Sequence, residues 1–357
     1  MLAVASAPVS SVVSELKSAN RSLSEPMTAA YSLPYIASPL VPSLYLSELI
    51  GAKVLLKLET VQPSGSFKSR GLGTLVHHTV SNAPPGSLFH FFSPSGGNAG
   101  CATAYASRLY GQKCTVCVPS VTKKVMIERI RKTGATVVVH GDTIAEADKY
   151  LREVLMPASE EPAIYCHPYD NPLVWQGNST LATELIDQLK GTKPDAVLCS
   201  VGGGGLYNGL VLGFRSADWN DIPIIAVETE GCEALNLSLK NGGQQVFIEK
   251  PNTIASSLST ATVTKETIDY ALNVQPTYST VVTDAEAAES CIRFAEDHKL
   301  LVEAACGAAL APLYSRRINN ILPDLNENSV VVVIVCGGTS VNWDILRTYA
   351  DTFNINL

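Results

Sequence analysis

The chain has 357 residues, 46% hydrophobic and 17% charged, a globular composition whose length suits two domains sharing one cleft. A net charge of −7 without a basic stripe excludes a surface that tracks nucleic-acid phosphates, and no apolar run reaches the roughly 18–20 residues of a membrane span. Nine scattered cysteines argue against a disulfide framework, and the N-terminus lacks the basic-then-apolar layout of a secretory signal, so the expected location is cytoplasmic.

The first 30-odd residues carry no strong pattern and read as an arm or interface segment. From there strand, glycine turn and helix alternate. KVLLKLE (53–59) predicts a strand, and 66–81 a helix opened by Ser64 or Ser66. LFHFFS (88–93) predicts a strand and 97–111 a helix of small residues. TVCVP (115–119) is the next strand. Cys114 and Cys117 there point to opposite faces and read as buried cysteines, not as a metal pair. Then come helix 121–134 with Val125, Ile127 and Ile130 among charges, strand 135–141 and helix 143–155. The second half continues with helix 179–189, a strand at 195–201 running into glycines, strand 222–231, helix 289–302 and the wholly apolar strand 328–335. Residues 239–252 read as a surface excursion. Such alternation builds an α/β fold of parallel sheets with helices on both faces, and ligands gather beyond the carboxyl ends of its strands.

Four motifs lie at such places. In PSGSFKSRG (63–71), Lys68 follows a tight turn near a helix N-terminus. The helix dipole and desolvation disfavour its ammonium form there, which suits a nucleophile for an aldehyde. Taken alone, a lysine in a polar turn is usually a solvated one. SPSGGNAG (93–100) ends a strand and starts a helix, where backbone N–H groups bind anions and Asn98 offers an amide; alone it reads more readily as a capped helix start. SVGGGGL (200–206) has four consecutive glycines, costly in entropy unless the backbone wraps a phosphate. It is neither a Walker loop nor a spaced GxGxxG. VCGGTS (335–340) places Cys336 where a thiol can face a heteroaromatic nitrogen. A lysine nucleophile, an anion-binding helix start, a phosphate cup and a polar group for a ring nitrogen together make a pyridoxal-phosphate site.

PSGSFKSRG, SGGNAG, SVGGGGL and VCGG, in this order, resemble the fold-type II serine/threonine dehydratases. KPDAVLCSVGGGGLYNGLVLG, IIAVETEGCEALN and LVEAACGAAL are similar to the eukaryotic L-serine dehydratase branch, and the resemblance spans about residues 35 to 345. It implies a tryptophan synthase β-like pair of parallel-sheet domains with the cofactor in the cleft between them. Residues 1–64 and 177–357 would form the large, cofactor-binding domain, with 1–33 as its arm, and 65–176 the small substrate domain. It implies Lys68 as the Schiff-base lysine and Cα base, with Phe67 on one face of the cofactor ring and Ser257 near the other. Asn98 would bond the ring hydroxyl, Gly202, Gly203, Gly204, Gly205 and Leu206 would cup the phosphate, and Cys336 would face the pyridine nitrogen. Ser66, Ser95, Gly96 and Asn98 would hold the substrate. Glu228, with carbonyls near Gly202, Cys232 and Leu258, resembles the family's monovalent-cation site, usually potassium.

The sequence departs from the family at Pro94, at Gln176 and Asn178, at Ala304 and at Ser259 beside the cation site. The 176–178 segment lies near the substrate mouth in relatives, which opens the choice of substrate. The implied activity is dehydration and deamination of L-serine or L-threonine to pyruvate or 2-oxobutanoate plus ammonia. β-Replacement, or another amino-acid lyase reaction in specialised metabolism, is the alternative. Racemisation fits less well, because Gly96 stands where racemases commonly have serine. A regulatory scaffold fits poorly with the retained Lys68, Asn98 and tetraglycine. The expected assembly is a homodimer.

Overall fold

The computed structural model describes residues 33–356. The 1–33 arm therefore lies, but for Leu33, outside the described residues. The strands are β1 (Leu40–Pro42), β2 (Lys53–Leu58), β3 (His90–Ser93), β4 (Lys113–Val118), β5 (Thr136–Val139), β6 (Ala163–Tyr165), β7 (Ala196–Ser200), β8 (Ile224–Thr229), β9 (Thr277–Val282) and β10 (Val330–Val335). The chain groups into two compact units, one holding residues 75–168 and the other 35–74 with 169–357.

The larger unit contains a six-stranded sheet ordered β1-β2-β10-β7-β8-β9. Only the β1–β2 pairing is antiparallel. The wholly apolar β10 lies centrally, Val331 against Val54 and Ala196, as its composition requires of a strand covered on both faces. Helix Ala304–Tyr314 is buried along its whole length. It is apolar on every side, so no helical stripe announces it in the sequence. The smaller unit contains a parallel four-stranded sheet ordered β5-β4-β3-β6. Cys114 packs with Cys101 and Ile130 on one of its faces, and Cys117 with Phe92 and Leu151 on the other. The expected burial of these cysteines is borne out.

Most predicted elements occur, with shifted ends. The helix expected at 179–189 begins at Pro172, where Asn171 caps it and proline takes the first turn. The helix expected at 289–302 is Asp284–His298, opened by a Thr283–Glu286 capping box. Of the surface excursion expected at 239–252, Leu239 and Lys240 close helix Ala234–Lys240, and residues 241–252 form neither helix nor strand. Residues 65–74 and 169–176, assigned from the sequence to the small domain, group instead with the larger unit. The 65–74 segment contains the buried Arg70. Its Nε donates to Glu59 at 2.7 Å and its Nη1 to Glu184 at 2.6 Å, locking the first turn of helix Lys68–Ser81 to elements of that unit.

Candidate active site

Lys68 is the first residue of helix Lys68–Ser81. A turn prepares it: Ser64 N–H donates to Ser69 Oγ at 3.1 Å, and the two hydroxyls lie 2.7 Å apart. The approach to the lysine is stitched to the loop after β10. Phe67 N–H donates to the Cys336 carbonyl at 3.1 Å, Gly338 N–H donates to the Gly65 carbonyl at 2.8 Å, and Ser66 bridges Gly337. This brings two motifs from opposite ends of the sequence side by side. Lys68 keeps an accessible strip, being half-buried. Protein nevertheless surrounds its amine densely enough for burial to bring it from 10.5 down to about 8, against the opposing pull of Cys336 and Glu303. Its Nζ stands 5.0 Å from the centroid of the Phe67 ring.

Beside it Ser66 is 1% exposed, and its Oγ finds no hydrogen-bond partner. A buried hydroxyl left unpaired costs free energy, about 1–3 kcal/mol, and such an atom calls for a ligand group. Cys336 is buried, with its Sγ 3.7 Å from Ser200 Oγ. A hydrogen bond with Cys306, then burial, push its thiol well above the usual value. It is therefore a neutral thiol.

The four glycines end β7 and head helix Gly205–Arg215. Gly204 sits at φ +95°, and a Cβ there would lie 1.9 Å from Thr267 Oγ1. On Gly203 it would lie 2.3 Å from the Tyr169 ring, and on Gly202 3.0 Å from the Leu258 backbone. Close packing calls for glycine at Gly203 and Gly204, and at Gly204 backbone hand adds to it, while a side chain on Gly202 would press on the Ser257–Leu258 backbone. No side chain caps this helix. Its first N–H groups, at Gly205 and Leu206 among others, lack intrahelical partners and suit an anion.

Ser257 is exposed, and its backbone with that of Leu258 lies against Gly202. Glu228 is fully buried and accepts from the N–H groups of Leu235 and Asn236, each at 2.8 Å. Burial raises its carboxyl to about 8. Cys232 is buried, and desolvation raises its thiol. Among the described residues no group of three His, Cys, Asp or Glu side chains could hold a metal ion. A monovalent cation would rest mainly on carbonyls, a different donor set.

In the smaller unit Asn98 is the first residue of helix Asn98–Leu109 and is 8% exposed. Ser95 Oγ accepts from Gly97 N–H at 3.3 Å. A Cβ on Gly100 would strike the Ser95 carbonyl at 1.9 Å, and one on Gly96 would meet Thr122 at 2.7 Å. This helix start is as tightly built as the tetraglycine loop.

Asn178, read from the sequence as near a substrate mouth, is instead 1% exposed in the interior of the larger unit. Its Nδ2 donates to the Gly205 carbonyl at 2.9 Å, and it packs against Gly71 and Gly209. It links the lysine helix to the helix that the tetraglycine loop heads. Gln176 alone of that pair is exposed. Sequence reasoning also passed over Glu303, Tyr169 and Thr267. Glu303 stood in the quoted LVEAACGAAL, and a lone acid amid apolar residues was the available signal.

Comparison with known proteins follows the same lines. Residues 31–337 match the model of a family described as pyridoxal-phosphate dependent enzyme. An L-serine dehydratase of Saccharomyces cerevisiae (strain YJM789) is 38% identical, over 90% of this chain and 98% of its own. The L-serine dehydratase/L-threonine deaminase of Mus musculus is 40% identical, over 88% of this chain and 94% of its own. Among solved structures, a fungal L-serine ammonia-lyase from Rhizomucor miehei superposes with a TM-score of 0.85 at 37% identity, covering 90% of this chain and all of that one. The processed form of threonine deaminase isoform 2 from Solanum lycopersicum shares the fold, with a TM-score of 0.77 at 24% identity, over 97% of this chain and 90% of that one.

Proposed function

The chain belongs to the family of pyridoxal-phosphate dependent enzymes, and from that premise we propose that it catalyses α,β-elimination from L-serine, L-threonine or both. The products are pyruvate or 2-oxobutanoate, with ammonia. One observation carries the reading most directly. A lysine amine held down to about 8 stands beside an unpaired buried hydroxyl, in the unit that also holds an uncapped tetraglycine helix start. The near-full-length similarity to proteins named L-serine dehydratase supports the substrate class.

These residues fit the cofactor. Lys68 would bind its aldehyde carbon, and Gly202 to Leu206 would receive its phosphate on backbone N–H groups. Cys336 would face the ring nitrogen as a neutral thiol, Phe67 and Ser257 would flank the ring, and Asn98 would bond its hydroxyl. When bound, the cofactor supplies an electron sink for charge developing at the substrate's Cα. The chain's own part is to place and move protons. Nζ of Lys68, uncharged above about pH 8, takes the Cα proton. Ser66, Ser95, Gly96 and Asn98 are assigned to the substrate, the last three through a helix N-terminus that suits its carboxylate. Cys336, as a neutral thiol, would not protonate the ring nitrogen, and the cofactor so held would supply a weaker electron sink, suited to elimination of the β-hydroxyl.

Glu228, with carbonyls of Gly202, Cys232 and Leu258, is proposed to hold potassium. The protein is proposed to act in the cytoplasm as a homodimer. Among the described residues no helix is long and apolar enough to cross a membrane. The test is an absorbance spectrum of the purified protein before and after L-serine, with pyruvate and ammonia assayed together. A visible band that changes, with both products formed, is expected. A changing band without pyruvate would move the assignment to β-replacement, and no band after added cofactor would overturn it.

A further inference from the structure

Glu303 has no role in the site as assigned so far, yet it is a carboxylate only 4% exposed. Burying such a group without partners is expensive, so its surroundings must compensate. It stands immediately before helix Ala304–Tyr314, in extended conformation. Its carbonyl accepts from Cys306 N–H at 2.8 Å and Gly307 N–H at 3.0 Å, which fixes its backbone. Its side chain reaches the loop after β10, where Ser340 Oγ donates to Oε2 at 2.7 Å. At Gly338, φ +127°, an added Cβ would lie 2.0 Å from Glu303 Cδ. The glycine therefore lets the loop close directly onto the carboxylate. That same loop is bonded through Cys336 and Gly338 to Phe67 and Gly65, the residues leading into Lys68.

We infer, building on the proposed reaction, that Glu303 is a positioning residue for Lys68: its carboxylate fixes the 336–340 loop and supplies the counter-charge for the lysine ammonium. Cys336 and Glu303 are among the groups acting on Lys68. Ser340, Cys336, Cys291 and Tyr349 are among those acting with Glu303 from the surrounding elements. The two thiols and the phenol are all pushed up and stay neutral. Glu303 is thus the acid in this set that can balance a positive Lys68. Burial favours the free amine, which is needed to react with an aldehyde. The carboxylate favours the ammonium, which forms when Nζ accepts the substrate's proton. Together they hold the amine between the two demands, where a base is most effective.

The test is Glu303→Gln in the full chain, which removes the charge but keeps the shape and an acceptor for Ser340. Two quantities are read against pH: the rate at which cofactor-stripped protein takes up pyridoxal phosphate, followed by absorbance, and kcat for L-serine. Removing the counter-charge lowers the proton affinity of Lys68. The uptake profile is expected to move to lower pH by about one unit, making uptake near neutrality up to tenfold faster, while kcat falls. A merely structural role would slow uptake alike at every pH, and that result, or an unmoved profile, overturns the inference. If Glu303→Gln does not fold, Ser340→Ala loosens the carboxylate and keeps its charge. A lower kcat at an unshifted pH optimum then supports the inference, and unchanged turnover overturns it. Cofactor uptake without turnover in the unaltered protein would instead count against the proposed reaction, while the uptake comparison would still decide the role of Glu303. Failure of the unaltered protein to take up cofactor would overturn both.

Discussion

Replacing Lys68 by methionine should abolish activity and stabilise the cofactor-free protein. Burial holds the Lys68 amine at about 8 in the folded chain, against 10.5 for an ordinary lysine. Between these two values the unfolded chain binds more protons than the folded one, so stability rises with pH through that window. Below about pH 8 the whole cost of the buried ammonium is present, and above about 10.5 it is gone. At 1.36 kcal/mol per unit the cost is at most about 3 kcal/mol, an upper figure because Lys68 keeps some solvent contact. Methionine fills similar space without the charge. For a chain of this length, about 3 kcal/mol corresponds to roughly 4 °C in Tm. The assay is calorimetric unfolding of both cofactor-free proteins from neutral to strongly alkaline pH. The expected result is a Lys68→Met advantage at neutral pH that shrinks as pH rises. Equal Tm values at pH 7, or a gap independent of pH, would refute the reasoning.

Gly204→Ala meets a positive φ and Thr267 Oγ1 1.9 Å from its new Cβ. It should cost roughly 2–5 kcal/mol by denaturant titration and weaken pyridoxal-phosphate binding. Gly51→Ala, at φ +72° with open space around it, should cost only about 1–2 kcal/mol and leave binding intact. Arg70→Met leaves Glu59 buried and facing lost donors. Urea unfolding should show a loss of about 3–5 kcal/mol, and a loss under about 1 kcal/mol would mean that the Glu59–Arg70–Glu184 network does not bear on stability. Asn178→Ala deprives the Gly205 carbonyl of its buried donor. It should cost about 1–3 kcal/mol and weaken cofactor binding without changing the preference between serine and threonine, measured as the ratio of kcat/KM values. A changed preference would restore Asn178 to the substrate mouth.

Much of this molecule is legible in the chain because its signals are local. A strand such as β10 must be apolar throughout to lie between two layers, and each glycine motif directly follows or precedes an element that its neighbours already define. Element ends were less legible. The start at Pro172 and the Thr283–Glu286 capping box could have been read from the sequence, whereas helix Ala304–Tyr314, apolar on every side, has no periodicity to read.

The sequence by itself determined the alternation of elements and the order of the four motifs, because each rests on residues a few positions apart. Only the tertiary structure decided which groups meet Lys68 and at what electrostatic cost. Glu303 and Cys336 come from the far end of the chain, and Arg70 finds Glu184 across more than a hundred residues. It also moved Asn178 from the expected substrate mouth to the packing beneath the tetraglycine helix. Such contacts are set by how sheets and helices pack, and no short stretch of sequence records them.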